Sequence, residues 1–119
     1  MENSPARSTS AAGRAAERRA WWYYRLRCYR VLATNVWIGG NELDLVLRRG
    51  CELVFCEVKA KKTERYGDPF EAVGVEKQRR LRRAAEAWLA KHPELGELET
   101  SFDVIAFRNG RLERLRQAF

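Results

Sequence analysis

Long hydrophobic runs and paired cysteines are what this sequence lacks. No apolar stretch approaches the roughly 18 residues that would predict a membrane-spanning helix. The opening stretch MENSPARSTSAA has no apolar segment of the kind that a secretory signal peptide requires. The three cysteines, Cys28, Cys51 and Cys56, are odd in number and lack C-x-x-C spacing, which argues against a disulfide framework or a structural zinc site. We therefore expect a cytoplasmic protein with reduced thiols and no membrane span.

The size and charge of the chain narrow the classes of partner. The chain has 119 residues, 45% of them hydrophobic, which is enough apolar material for one small core. Residues 1–12 are predicted to form a disordered tail and residues 13–119 a single domain. Lys and Arg number 23 against 16 Asp and Glu, and the net charge is +7. This excess favours a polyanionic partner, either nucleic acid or an anionic membrane surface, and charge alone does not decide between them.

The periodicity of the apolar residues predicts the element order αβββαββ. A first helix is expected from Gly13 to about Cys28, with Glu17 on the same face as Ala20, Trp21 and Tyr24. Strands are expected in YRVLATNVWI, ELDLVL and LVFCEVK. A second helix is expected from about Val75 to Lys91, followed by strands in FDVIAF and RLERL. This order is typical of an α/β protein.

Charged residues interrupt two of the predicted strands. For either of the two tight turns that RRGC allows, Glu42 and Asp44 share one sheet face with Glu57 and Lys59. The opposite face is then predicted to be apolar and to contain Leu43, Leu45, Leu47, Val54, Cys56 and Val58. Crowded carboxylates are costly to bury unless they are protonated, paired or bound to a cation. Oxygen ligands of this kind suit Mg²⁺ or Mn²⁺ rather than zinc.

These residues also carry a resemblance to a known family. Asp44 followed by Glu57-Val58-Lys59 has the form of the PD-(D/E)xK nuclease signature, with Leu43 in place of its proline. The blocks GRAAE, NELDLV, FCEVKAK, YGDPFEAV, KQRRLRRAA, SFDVIAF and QAF follow in order from Gly13 to Phe119. Together they resemble the YraN-like family of predicted endonucleases. The sequence departs from the family pattern at Asn41 and in KAKK.

The resemblance implies a fold, an activity and a set of site residues. The fold would be restriction-endonuclease-like, a central mixed β-sheet flanked by helices, similar to that of archaeal Holliday junction resolvases. The activity would be metal-dependent hydrolysis of phosphodiester bonds in DNA, including branched or junction DNA, with Mg²⁺ or Mn²⁺ as cofactor. Asp44 and Glu57 would bind the metal with the carbonyl group of Val58, and Lys59 would be the catalytic lysine. Glu17 would complete the metal sphere.

Further candidates lie around this centre. Glu42 is a candidate metal ligand because it shares the predicted face, and Gln78 is a candidate catalytic residue because related nucleases place a Gln on the second helix. A basic set is expected to contact nucleic-acid phosphates: Lys61, Lys62, Lys77, Arg79, Arg80, Arg82 and Arg83. Asp103 is interpreted as an anchor for a loop or an arginine.

The alternative to a functional site is that these charged residues only form ordinary protein surface. The carboxylates could form salt-bridged strand pairs, and the arginine-rich helix could simply be a solvated face. On the scale of the whole protein, the competing functions are a non-catalytic nucleic-acid-binding or adaptor module and a membrane-surface protein. A homodimer is the simplest arrangement for cutting two strands.

Overall fold

The computed structural model describes residues 11–60 and 73–119 of the chain. These residues form an α/β structure in which a five-stranded sheet is flanked by two helices. The elements are α1 (Ala11–Arg25), β1 (Arg30–Ile38), β2 (Asn41–Arg49), β3 (Glu52–Lys59), α2 (Val75–Ala90), β4 (Glu99–Arg108) and β5 (Arg111–Leu115). A short 3-10 turn, Pro93–Leu95, separates α2 from β4. The predicted order αβββαββ is confirmed.

The sheet is mixed, as predicted. Its strand order is β1-β2-β3-β4-β5. The pairs β1–β2, β2–β3 and β4–β5 are antiparallel, whereas β3 and β4 are parallel. A parallel pair needs a long crossover connection, and the segment that contains α2 makes it. The strand β3, which carries Glu57 and Lys59, is therefore central in the sheet.

Each face of the sheet is covered by one helix. On one face, Val46, Leu53 and Phe55 pack in a core with Leu81 and Trp88 of α2. On the other face, the core around α1 includes Leu45, Leu47, Val54 and Cys56 with three helix residues: Ala16, Ala20 and Tyr24. Neighbouring residues of β2 and β3 thus alternate between the two cores, as the side-chain direction in a strand requires.

The ends of both helices differ slightly from the prediction. The helix α1 begins at Ala11, so Ala11 and Ala12 belong to the helix and not to the predicted tail. It ends at Arg25, and Cys28 in the following turn has a positive φ of 71°, which is incompatible with a continuing helix. In the described part of the chain, neither helix is long and apolar enough to cross a lipid bilayer. All three cysteines are free, as expected.

The alternation predicted for β2 fails at one point. Leu45 and Leu47 pack on the α1 side, but Leu43 packs on the α2 side with Val46. The register that pairs Arg49 with Glu52 leaves Gly50 and Cys51 as the turn. Asn35 lies in β1 between the partners of Leu43 and Leu45, and its φ of 54° is left-handed. This irregular backbone lies at the level of Asp44, where the alternation of β2 fails.

Candidate functional site

Three carboxylates meet at the start of β2. Glu17 of α1 and both Glu42 and Asp44 of β2 each offer one oxygen, and these oxygens all lie within 4.8 Å of one another. We call these three residues the acidic cluster. Glu17 reaches the sheet because the small side chains of Ala16 and Ala20, buried against it, let α1 approach closely. The structure thus brings together three of the four predicted acidic metal ligands.

The backbone of β3 holds the carboxylate of Asp44. The last regular pair of the β2–β3 ladder on this side is Leu45 with Cys56. One step beyond it, the Val58 N–H donates a hydrogen bond of 2.9 Å to Asp44 Oδ2. The carboxylate therefore takes the place of a strand-to-strand hydrogen bond where the two strands separate. The structure gives Val58 this positioning contact, and its predicted role as a carbonyl ligand stays a prediction.

The surroundings of Asp44 oppose its ionisation. Burial raises the pKa of its carboxyl group well above the usual range, and the nearby carboxylate of Glu57 raises that pKa further. The hydrogen bond from Val58 lowers the pKa, whereas Glu42 and Glu17 raise it. Asp44 keeps some accessible surface, yet protein atoms and three other acids surround it. A cation bound here would relieve the repulsion that raises the pKa.

Glu57 and Lys59 lie beside the acidic cluster, but they approach from the α2 side. Glu57 Oε2 is 3.8 Å from the Lys59 ammonium group and 3.5 Å from that of Lys77 in α2. Glu57 is only 9% exposed. Sequence reasoning assigned Lys77 to phosphate contacts alone, and the structure places its ammonium group at the carboxylate of Glu57.

The expectation that all four charged strand residues share one sheet face is wrong. Glu57 has the same parity in β3 as Phe55, which packs under α2, and its partner Lys77 is in α2. Glu42 and Asp44 instead meet Glu17 of α1. The break in alternation between Leu43 and Leu45 is the reason, because it moves the start of β2 out of phase with the rest of the strand. Asp44 is close enough to Glu57 for the charge of Glu57 to raise its pKa, so the acidic cluster and the Glu57–Lys59–Lys77 group are neighbours.

Asn35 is a site residue that sequence reasoning missed. It lines the same cavity as Asp44 and Glu17. Its side-chain oxygen Oδ1 is buried and has no hydrogen-bond partner among the described residues. Buried amide oxygens are normally paired, so an unpaired one beside carboxylates is a candidate ligand for a cation or a water. The signal in the sequence was a polar residue of low strand propensity inside the apolar run YRVLATNVWI.

Gln78 makes a local contact at the start of α2. Its side-chain amide donates a hydrogen bond of 3.1 Å to the carbonyl oxygen of Val73. The residue lies one position after Lys77, and its own backbone N–H donates to Gly74. The structure thus gives Gln78 a structural hydrogen bond, and its predicted catalytic role stays a prediction.

The arginines of the predicted basic surface of α2 make two kinds of contact, ion pairs with an acid of the same helix and contacts with aromatic rings. Arg79 and Arg80 lie 3.1 and 3.8 Å from the carboxylate oxygens of Glu76 on the same helix. The guanidinium group of Arg82 lies 5.4 Å from the ring centre of Phe102 and 5.3 Å from that of Phe119.

The remaining predicted nucleic-acid contacts divide into two groups. Arg83 is exposed on α2. Lys61 and Lys62 lie outside the described residues. Arg79 and Arg80 contact Glu76, and Arg82 contacts two rings. The predicted role of these arginines in binding phosphates stays a prediction.

Asp103 anchors an arginine, as interpreted from the sequence. Its side chain is 1% exposed and lies in β4. Asp103 Oδ2 accepts hydrogen bonds from the Tyr24 hydroxyl at 2.9 Å and from Arg114 Nε at 2.8 Å. The backbone N–H of Gln117 donates to Oδ1 at 3.2 Å. Both oxygens of this carboxylate are satisfied, which excludes Asp103 from the candidate site.

Comparison with known proteins identifies the family. The model of the Uncharacterised protein family UPF0102 matches residues 16–107. A UPF0102 protein of Azorhizobium caulinodans is 40% identical over 122 residues, covering 98% of this chain and 92% of that protein. A UPF0102 protein of Burkholderia mallei is 42% identical over 113 residues, covering 94% of this chain and 77% of that protein. The chain therefore belongs to the UPF0102 family, the YraN-like family that its sequence blocks resemble.

Proposed function

We propose that the protein is a metal-dependent nuclease that hydrolyses phosphodiester bonds in DNA on a restriction-endonuclease-like fold. The observation that carries this proposal is the convergence of the carboxylate oxygens of Glu17, Glu42 and Asp44 within 4.8 Å of one another. The mixed sheet supports the proposal, because it brings Glu57 and Lys59 on its central strand beside this cluster. Acids gathered against their own repulsion are typical of functional sites.

The donor groups fit a hard divalent cation. Glu17, Glu42 and Asp44 offer carboxylate oxygens, and Asn35 offers a buried amide oxygen without a partner among the described residues. Oxygen-only donors of this kind suit Mg²⁺ or Mn²⁺, and these four residues with Glu57 would hold the ion. When bound, such an ion polarises a phosphoryl oxygen and lowers the pKa of a coordinated water.

The residues of the chain supply positioning and positive charge. Val58 fixes the direction of the Asp44 carboxylate through its N–H, so this ligand is oriented before any ion binds. Lys59 and Lys77 bring two ammonium groups within 4 Å of Glu57 Oε2, at 3.8 and 3.5 Å. An ammonium group in this position stabilises the negative charge of a phosphate or holds the attacking water. We assign that role to Lys59, and Lys77 to support of the same phosphate.

One observation favours a second candidate, a non-catalytic nucleic-acid-binding protein on the same fold. The carboxylate of Glu57 already has two lysine partners in the structure. A glutamate that is neutralised in this way needs no metal, and the lysines could serve only to hold it. The two candidates differ in what metal and substitution do.

The test is a cleavage assay with Mn²⁺ on single-stranded, duplex and branched DNA. We expect the wild-type protein to cut at least one of these substrates, and Asp44→Asn, Glu57→Gln and Lys59→Met each to reduce the rate by about 100-fold or more. Glu113→Gln, which removes a half-exposed acid from β5, is the matched control and should retain the wild-type rate. DNA binding without metal-dependent cleavage of any of these substrates would support the non-catalytic candidate instead.

A further inference from the structure

We infer that a row of basic side chains along α1 binds the phosphate backbone of the DNA strand that enters the acidic cluster. The row begins beside the acidic cluster and ends at an arginine-lined depression near the β2–β3 turn. This inference rests on the proposed function, because it assigns the path of the substrate. It places a phosphate surface on α1 and the sheet edge, separate from the one that the sequence predicts on α2.

The depression is basic throughout. It has a volume of about 370 Å³, and its charged lining residues are Arg25, Arg30, Arg48 and Arg49. The other lining residues are uncharged, and no acidic side chain of the described residues lines it. Arg25, Arg30 and Arg49 are exposed, and Arg48 is half-exposed. Four guanidinium groups around one depression form a surface that matches phosphate oxygens.

Two of these arginines face each other across the sheet. Arg30 of β1 pairs directly with Arg48 of β2 in the antiparallel ladder. Like charges directly opposite one another are destabilising. A bound anion between them would reverse the sign of this interaction. Arg30 and Arg48 also line the depression together with Arg25 and Arg49, which distinguishes this pair from a facing arginine pair elsewhere in the sheet.

Two arginines of the depression are held in place by their neighbours. Arg48 Nε donates to the carbonyl oxygen of Gly50 at 3.1 Å. Arg49 donates to the carbonyl oxygen of Arg27 at 3.1 Å and lies over the ring of Tyr29, with its guanidinium carbon 4.3 Å from the ring centre. Each guanidinium group has five N–H donors, so these contacts orient the groups and leave donors for a ligand.

One acid near the depression, Glu52, has several partners. Glu52 lies 3.9 Å from Arg49. Its carboxylate also accepts hydrogen bonds from Arg116 at 2.9 Å and from the Tyr29 hydroxyl at 3.1 Å. Glu52 therefore does not cancel the charge of the four arginines.

The helix α1 connects the depression to the acidic cluster. Arg14, Arg18, Trp21 and Arg25 are spaced by four, three and four residues, which places them on one helix face. Arg14, Arg18 and Trp21 line the cavity that contains Asp44. Arg25 lines the depression, and its guanidinium carbon lies 5.6 Å from the ring centre of Trp21. The four residues form a basic track that passes Glu17, the α1 member of the acidic cluster, which lines the same cavity as Arg14 and Arg18.

The length and charge of the track favour a linear polyanion. A helix rises about 1.5 Å per residue, so Arg14 and Arg25 are about 16 Å apart along α1. This distance equals the rise of roughly five nucleotides of a B-form strand. The row is one helix face wide, which matches the phosphates of a single strand better than a membrane surface. A cation bound at the acidic cluster would remove the repulsion between that cluster and the last phosphate of the strand.

The test measures DNA affinity without metal, so that it does not depend on cleavage. Anisotropy of a fluorescein-labelled DNA duplex and single strand is recorded in EDTA at salt concentrations from ~50 to ~200 mM. The double variant Arg30→Gln with Arg48→Gln removes the facing pair of the depression, and Arg18→Gln with Arg25→Gln removes two charges of the track. We expect each lost phosphate contact to weaken binding about eightfold near 0.1 M salt and to reduce the salt slope by about 0.9.

The control is a second arginine pair with the same geometry. Arg108 of β4 faces Arg111 of β5 directly across the strands, at the other edge of the sheet. The double variant Arg108→Gln with Arg111→Gln loses the same charge, so we expect its DNA affinity to change less than twofold. Equal weakening by control and test variants would overturn the track and leave a diffuse effect of net charge.

The remaining outcomes separate this inference from the proposed function. If the wild-type protein cuts DNA but the track variants bind as tightly as wild type, the track is wrong and the nuclease proposal stands. If no metal-dependent cleavage occurs but the track variants lose affinity, the track stands and the nuclease proposal fails. If wild-type protein binds phosphatidylserine vesicles and no DNA, the track as a nucleic-acid site is overturned.

Discussion

Two aspartates of neighbouring regions, Asp103 and Asp44, show opposite ways to place a carboxylate in a sheet. Asp103 on β4 is the more deeply buried, yet Tyr24, Arg114 and Gln117 satisfy both of its oxygens. Asp44 on β2 has one backbone hydrogen bond from Val58, and the carboxylates of Glu57, Glu42 and Glu17 raise its pKa. Burial alone therefore does not mark a functional site, and burial among like charges is what makes Asp44 a candidate.

The cage around Arg114 explains why the first arrangement is structural. The guanidinium carbon of Arg114 lies 5.9, 5.0 and 5.3 Å from the ring centres of Tyr23, Tyr24 and Tyr29. Its NH2 group also donates to the Tyr29 hydroxyl at 3.0 Å. The network joins α1, the turn after it, β4 and β5, and gives both carboxylate oxygens of Asp103 hydrogen-bond partners within the protein.

The largest change in the free energy of unfolding should come from removing the arginine that pairs with Asp103. Arg114→Met removes the partner and leaves Asp103 buried with an uncompensated charge. We expect the free energy of unfolding to fall by roughly 3–5 kcal/mol, because a buried carboxylate without its cation keeps its full desolvation cost. Urea unfolding followed by circular dichroism measures the change.

The control for this prediction is Arg111→Met, three residues earlier on the same strand at an exposed position. We expect it to change the free energy of unfolding by less than about 0.5 kcal/mol. Similar losses in the two variants would show that the charge balance around Asp103 is not what stabilises β5.

The surroundings of Asp103, whose oxygens are hydrogen-bonded, were easier to predict from the sequence than the acidic surroundings of Asp44. The strand FDVIAF reads as a buried strand with one acid, and a buried acid between apolar neighbours needs a cation or hydrogen-bond donors. The order of elements and the placing of Glu17 on the inward face of α1 also followed from period and spacing. These features depend on local rules that hold along one element.

The positions of the acids around Asp44 depend on a backbone irregularity that rules for a single strand do not predict. The prediction assumed strict alternation along β2, and this assumption fails between Leu43 and Leu45. The left-handed conformation of Asn35 on the neighbouring strand accompanies the failure. Lys77 was likewise assigned by its basic neighbours in sequence, whereas only the crossover that contains α2 brings it to Glu57.

The second largest change in the free energy of unfolding should come from binding a cation at the acidic cluster. Mg²⁺ or Mn²⁺ at about 100 times its dissociation constant should raise the free energy of unfolding by roughly 2.7 kcal/mol, because the ion binds only the folded arrangement. Asp44→Asn should abolish this increase, since it removes the carboxylate at the centre of the acidic cluster. Thermal unfolding over a range of metal concentrations measures both.

The Asp103 region gives the matched comparison for this experiment. Glu113→Gln, close to that region on β5, should leave the metal-dependent increase unchanged. A wild-type protein whose unfolding temperature does not respond to either ion would remove the distinction between the two aspartates, because the acidic cluster would then be stable without a ligand.

The smallest effect concerns the repulsion within the acidic cluster itself. In EDTA at neutral pH, Asp44→Asn should raise the free energy of unfolding by about 1 kcal/mol or less, since the amide keeps the acceptor for the Val58 N–H and removes one like charge. Because the folded pKa of Asp44 is raised, the folded state binds more protons than the unfolded state. The contribution of Asp44 to the free energy of unfolding is therefore fully present below its unfolded pKa of about 3.9. This contribution is lost as the pH rises through the pKa of Asp44 in the folded protein.

The advantage of Asp44→Asn should accordingly shrink as the pH falls through the raised pKa of Asp44, because the wild-type carboxyl group then takes up a proton and the repulsion disappears. Urea unfolding of both proteins at each pH measures this difference. Glu86→Gln, which changes an exposed acid on α2, should differ from wild type by less than about 0.5 kcal/mol at every pH. A gain for Asp44→Asn that grows on acidification would mean that Asp44, like Asp103, is stabilised as a carboxylate by its surroundings.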